Sequence, residues 1–187
     1  CKKEWDRGYD RKRWEIENYL KSGQTELAEG VYAELESLYP GMPVTEYCHA
    51  RLLMSSGRYS AAADILSGLT RDGETPSAWL YSLAEAREGE GNHYEAAMVY
   101  DRLISSRIPD PALLLKKGYP EALTSRGLAY ERIGDRQKAR FDYEKAVEFA
   151  PYYAPAQNNL AAVYMDMGDY RGALRRLSAL LSKGPDN

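Results

Sequence analysis

The sequence predicts an all-α solenoid of five stacked helix-turn-helix repeats. Three observations carry that prediction. Gly23, Gly57, Gly91, Gly134 and Gly168 recur at intervals of 34, 34, 43 and 34 residues. Ala28, Ala62, Ala96, Ala139 and Ala173 keep the same intervals. Around these markers, apolar and small residues return with a helical period rather than with the alternation of a strand. A period of this size marks an array in which each repeat buries its apolar face against its neighbours.

The markers set repeats at 9–42, 43–76, 77–110, 120–153 and 154–187, a single repeat domain over 9–187 behind a short leader at 1–8. The 43-residue interval is one repeat plus a nine-residue insertion, "PALLLKKGY", at 111–119. Tyr32, Leu66, Tyr100, Tyr143 and Leu177 recur in register, as do Leu35, Leu69, Leu103, Ala146 and Leu180, and a proline closes each repeat at Pro40, Pro76, Pro109, Pro151 and Pro185. The first helix of a repeat carries a small residue at its eighth position, namely Ala50, Ala84, Gly127 or Ala161, with Ile16 the exception. The second helix has Ala at the twentieth. Small side chains at both positions let the two helices approach closely.

In repeat 4, Gly134 fits the left-handed position that ends the first helix, Asp135 can cap the second, and Pro151 prevents its continuation. The first three repeats are less regular. Arg87 stands where repeats 4 and 5 have Tyr130 and Tyr164, and His49 occupies a normally apolar position. The insertion opens on Asp110 and Pro111 and ends at Gly118 and Pro120, which predicts one or two extra helical turns. Within it, Leu113, Leu114 and Leu115 cannot all face one way: some are expected to seal the joint between repeats 3 and 4, the alternative being that others meet a partner.

Composition narrows the function. The chain has 187 residues, 44% of them apolar, enough for a real core. Its net charge of −3 comes from 28 acidic and 25 basic side chains scattered along the length, so no basic patch for nucleic acid is expected. No apolar run approaches the roughly 20 residues that cross a bilayer. Cys1 and Cys48 are too few for a disulfide scaffold. Cys48 reads as a structural thiol. His49 and His93 lie in different repeats and form no ligand cluster. With no nucleophile elbow, phosphate loop or metalloprotease motif, no catalytic residue, cofactor or metal is expected.

The repeat resembles the tetratricopeptide repeat: a small eighth residue, an aromatic eleventh, a Gly-Asp-Tyr turn, Ala at the twentieth and a late Pro. Repeat 5, "APAQNNLAAVYMDMGDYRGALRRLSALLSKGP", is the nearest match, and the resemblance runs from Tyr9 onward. A related repeat of about 35 residues that reads single-stranded RNA lacks this turn. The resemblance implies a right-handed superhelix and a non-enzymatic role in protein–protein interaction.

On a helical wheel, positions 2, 5, 9, 12 and 13 of each first helix point away from the partner helix. By resemblance they line the concave side of the superhelix. They hold Asp10, Arg13, Glu17, Leu20 and Lys21; Val44, Tyr47, Arg51, Met54 and Ser55; Ala78, Tyr81, Glu85, Glu88 and Gly89; Glu121, Thr124, Leu128, Glu131 and Arg132; and Pro155, Asn158, Ala162, Met165 and Asp166, of which Arg13, Val44, Tyr47, Arg51, Met54, Tyr81, Leu128, Arg132 and Asn158 are the expected groove. Val44, Tyr47, Met54 and Tyr81 are expected to form an exposed apolar patch, edged by Arg13 and Arg51, for a short apolar or amphipathic peptide. The competing expectation is that curvature buries part of this patch against neighbouring repeats. Relatives that grip the acidic C terminus of heat-shock chaperones place Lys, Asn and Arg on this surface. Here the surface offers Arg13 but then Glu17, Tyr47 and Tyr81, with only Asn158 and Asn159 otherwise in keeping, so a carboxylate clamp is not expected.

Two expectations concern the ends. Leu174, Leu177, Leu180 and Leu181 lack the covering helix usual in the family, which predicts an apolar end that binds another copy or a partner. Cys1, followed by Lys2 and Lys3, resembles the lipid-attachment residue of mature bacterial lipoproteins. That implies a scaffold anchored to the periplasmic face of the outer membrane. Pilotins and assembly accessories of secretin or pilus systems are of this kind, and an envelope component would be the partner. The alternatives are a soluble cytoplasmic adaptor and an accessory segment of a multidomain enzyme.

Overall fold

A computed structural model of the chain describes residues 2–71, 75–105 and 118–181, with side chains over 8–71, 75–105 and 119–178. Among the described residues there are ten helices and no strand: α1 (Lys2–Lys21), α2 (Thr25–Leu38), α3 (Pro43–Ser55), α4 (Tyr59–Leu69), α5 (Ser77–Gly89), α6 (His93–Ser105), α7 (Gly118–Arg132), α8 (Arg136–Phe149), α9 (Ala154–Asp166) and α10 (Tyr170–Leu181). The chain divides into an N-terminal body, Cys1–Gly91, and a C-terminal body, Asn92–Asn187. In the first, α1 packs on α2, α3 on α4, and α1, α3 and α5 touch in succession. In the second, α7 packs on α8 and α9 on α10, while α6 lies on α7 and α9 bridges α7 and α8. Both patterns are those of stacked helical hairpins.

The hairpins turn as the glycine spacing requires. Gly23, Gly57, Gly91, Gly134 and Gly168 all have φ between 72° and 85°, a region closed to most side chains. At Gly134 the amide donates to Glu131 O at 3.0 Å and the next amide, Asp135 N, reaches back to Tyr130 O at 2.8 Å. This pair of bonds satisfies carbonyls that the helix end leaves open. The same pair recurs at Gly57 and Gly168. The Asp135 carboxylate then accepts from Lys138 N at 3.1 Å and caps α8 as expected.

Three repeat starts, at 43, 77 and 154, coincide with helix starts. Two boundaries differ. The stretch expected as a leader is helical from Lys2, since its lysines, glutamate and arginine favour helix and no proline stops them. Helix α7 begins at Gly118, two residues before repeat 4, and takes in Pro120 within its first turn, where a missing amide costs no intrahelical bond. Residues 106–117, which hold Pro109 and most of the insertion with its three leucines, lie outside the described residues.

The cores follow the small-residue rule. In the C-terminal body Tyr143 is fully buried over Gly127, among Leu123, Ala139, Ala146 and Leu160. A Cβ at Gly127 would lie 2.6 Å from the Tyr143 ring, so the glycine makes room for the aromatic side chain. In the N-terminal body Ile16 occupies the same position in repeat 1 and is itself fully buried with Ala28, Leu35 and Cys48. The aromatic residue it faces, Tyr32, is accordingly only half-buried and stacks on His49, 5.4 Å between centroids. Burying a side chain of this size stabilises by about 1.5–3 kcal/mol.

Candidate functional site

In the N-terminal body the ends of α1, α3 and α5 and the start of α4 enclose a cleft of about 500 Å³. Its lining is Leu20, Lys21, Arg51, Met54, Ser55, Tyr59, Glu85, Glu88 and Gly89. All but Tyr59 belong to the outward positions of first helices picked out by the helical wheel. Tyr59 enters because Gly89 has no side chain: a Cβ there would run into the Tyr59 ring. A glycine in the last turn of a helix was the signal for it. Arg51 spans the floor, donating to Glu85 Oε2 at 3.1 Å and to Ser82 Oγ at 3.4 Å. Burial pushes the Glu85 carboxyl up, against the pull of Arg51. Apolar wall from Leu20, Met54 and Tyr59 thus meets charges of both signs.

The exposed patch expected of Val44, Tyr47, Met54 and Tyr81 is not what forms. Tyr47 is only 5% exposed. Its ring stacks on Trp79 at 5.7 Å and its hydroxyl lies 3.2 Å from Ser82 Oγ, because α5 of the following repeat closes over it. Burial raises its pKa. Val44 packs against the Ile16 core, while Met54 and Tyr81 are half-buried. Arg13 lies 3.6 Å from both Asp10 and Glu17 and does not line the cleft. The structure gathers Arg51 and Met54 into the cleft and leaves the other predicted members outside it.

In the C-terminal body Leu128, Arg132 and Asn158 are exposed on α7 and α9. Leu174 is 67% exposed and Leu177 is half-buried. Cys1 and the side chains of Leu180 and Leu181 lie outside the described residues. A feature the sequence did not announce is an ionic cluster: Arg126 donates two bonds to Asp142, at 2.8 and 2.7 Å, and one to Asp101 at 2.8 Å. Asp142 is 1% exposed. Among the described residues no group of three or more His, Cys, Asp or Glu side chains is placed to hold a metal ion.

Two family models of the tetratricopeptide repeat match residues 47–111 and 134–187. The chain carries tetratricopeptide repeats. A stretch of 86 residues, 46% of the chain, is 34% identical to 25% of the heat-shock protein cognate co-chaperone sgt12 of Aspergillus fumigatus. Over 158 residues, 84% of the chain, it is 27% identical to 20% of the TPR repeat-containing thioredoxin TTL4 of Arabidopsis thaliana. The chain spans a quarter or less of the length of these curated relatives.

Among solved structures, Pseudomonas aeruginosa pilF aligns with TM-score 0.79 at 15% identity, covering 97% of this chain and 79% of that one. MamA from Desulfovibrio magneticus RS-1 aligns with TM-score 0.73 at 17% identity, covering 93% of both chains. YrrB, described as a TPR protein with an unusual peptide-binding site, aligns with TM-score 0.65 at 18% identity, covering 92% of this chain and 84% of that one. These likenesses establish the tetratricopeptide-repeat fold. Tetratricopeptide repeats serve as scaffolds that bind protein or peptide partners.

Proposed function

We propose that this tetratricopeptide-repeat chain is a non-catalytic scaffold that grips an amphipathic peptide segment of its partner in the cleft of the N-terminal body. The observation that carries this is the convergence of first helices from three successive repeats on one recess with apolar walls and both signs of charge. Leu20, Met54 and Tyr59 would cover the apolar side of the segment, while Lys21 and Glu85 would set its direction. Replacing Met54 by Glu puts a charge on the apolar wall without touching the core. Affinity for a co-purified partner, measured by calorimetry, should fall at least about tenfold, or 1.4 kcal/mol, with helix content unchanged. Unaltered affinity would remove the cleft from consideration.

We further propose that Cys1 carries lipid and holds the scaffold at the periplasmic face of an outer membrane, where it assists assembly of an envelope complex such as a secretin or pilus system. Cys1 with Lys2 and Lys3 behind it supports this reading, as does the fold shared with Pseudomonas aeruginosa pilF. Intact mass of protein purified from its native host should show acyl chains on Cys1. A bare thiol at Cys1 of native material would overturn the anchor.

A further inference from the structure

Six arginines among the described residues are half-buried: Arg13, Arg51, Arg87, Arg126, Arg140 and Arg176. Five of them have a carboxylate at 2.7 to 3.6 Å. Arg176 has none among the described residues. A partly desolvated guanidinium without a counter-ion is costly, and it is the kind of group that a ligand carboxylate relieves.

Repeats 4 and 5 show how this arises within the C-terminal body. In repeat 4 the Tyr130 ring lies beneath two cations, Lys138 Nζ at 5.1 Å and Arg126 at 5.9 Å from its centroid, and Arg126 is neutralised by Asp142 and Asp101. The positions of Tyr130, Lys138, Arg126 and Asp142 are taken in repeat 5 by Tyr164, Gly172, Leu160 and Arg176. The covering lysine is gone and the acid has become a base. Arg176 now sits 5.9 Å from the Tyr164 centroid. The space over it is an open cleft of about 310 Å³ lined by Tyr164, Gly172, Arg175 and Arg176.

Two acids neighbour the cleft. Glu144 accepts from the Tyr164 hydroxyl at 3.0 Å and lies 3.5 Å from Arg140, while Asp169 accepts from Gly172 N at 2.8 Å.

We infer that this cleft binds the carboxylate of an acidic side chain on a peptide partner, held between Arg175 and Arg176 with its methylene stem on the Tyr164 ring. The assignment rests on the reading of the chain as a protein-binding scaffold, and adds a second site in a different body. Charge complementarity selects the carboxylate. A peptide is favoured over a bare anion because the same helix also exposes Tyr170 and Leu174, at 72% and 67%, outside the cleft.

The test is fluorescence anisotropy on the full chain with a labelled peptide of Leu-Glu-Glu triplets and its Leu-Lys-Lys counterpart. Inorganic phosphate and phosphatidylglycerol vesicles serve as competing probes. The acidic peptide should bind saturably and the basic one should not. Arg176→Gln and Arg175→Gln should each weaken binding about tenfold or more, and Arg171→Gln, outside the cleft, should leave it unchanged. Should Arg176→Gln also lower Tm, the exposed Arg175 decides. Equal affinity across the variants overturns the site, as does absence of peptide binding. Phosphate or vesicles binding at the same arginines as tightly as the peptide overturns the peptide assignment. Loss of peptide binding in Met54→Glu but not in the arginine variants places the peptide in the N-terminal cleft instead, which leaves the proposed function standing and this inference refuted.

Discussion

Cys48 shows what burial does to a single reactive group. Its thiol is 1% exposed within the Ile16 core, and burial, reinforced by the Glu17 carboxylate, raises its pKa from 9.0 to about 12. Thiolate is the nucleophile, so the native thiol is inert at neutral pH. Peptide mapping after iodoacetamide treatment should find Cys48 unmodified in the native protein and modified in urea. The same shift links to stability. Between pH 9 and 12 the unfolded chain gives up a proton that the native thiol keeps, so the unfolding free energy falls as pH rises through that window. Denaturant melts of the parent and of Cys48→Ala should show a shallower decline in the variant over the same pH range. Equal slopes would mean that the thiol does not titrate as its surroundings require.

At the scale of the helix, close packing depends on which glycines are space-makers and which are incidental. Gly127 lies in α7 against the buried Tyr143, whose hydroxyl donates to Glu131 at 2.5 Å, so the ring has no room to withdraw. Gly127→Ala should therefore destabilise by about 1–3 kcal/mol through overpacking, despite a gain in helix propensity. Gly30 in α2 is exposed, with nothing near its missing Cβ. Gly30→Ala should stabilise by about 0.8–1.0 kcal/mol. Opposite shifts in Tm for two identical substitutions would isolate the packing term; a stabilised Gly127→Ala would show that the ring can move.

For the molecule as a whole, the repeat spacing and its turns were legible before any coordinates. Glycines 34 residues apart demand left-handed backbone at the same place in each hairpin, and the alanines opposite them permit only close helix pairs. Those are properties of short segments, which is why helices begin at 43, 77 and 154 as the spacing predicts. The outward surface of the first helices was legible too, since eight of the nine residues lining the N-terminal cleft came from it. Periodicity along one helix could not report what a neighbouring helix lays over it. Tyr47 reads as outward from its own partner helix, yet Trp79 and Ser82 of the next repeat enclose it. Likewise, nothing in the local pattern says that Arg126 would reach Asp142, sixteen positions on, and Asp101, twenty-five positions back. The sequence by itself determined the hairpins, their turns and their cores, because each follows from local backbone limits and side-chain volume. Only the tertiary structure decided which outward residues are covered and which charges go unpaired, because both depend on contacts between residues far apart in the chain.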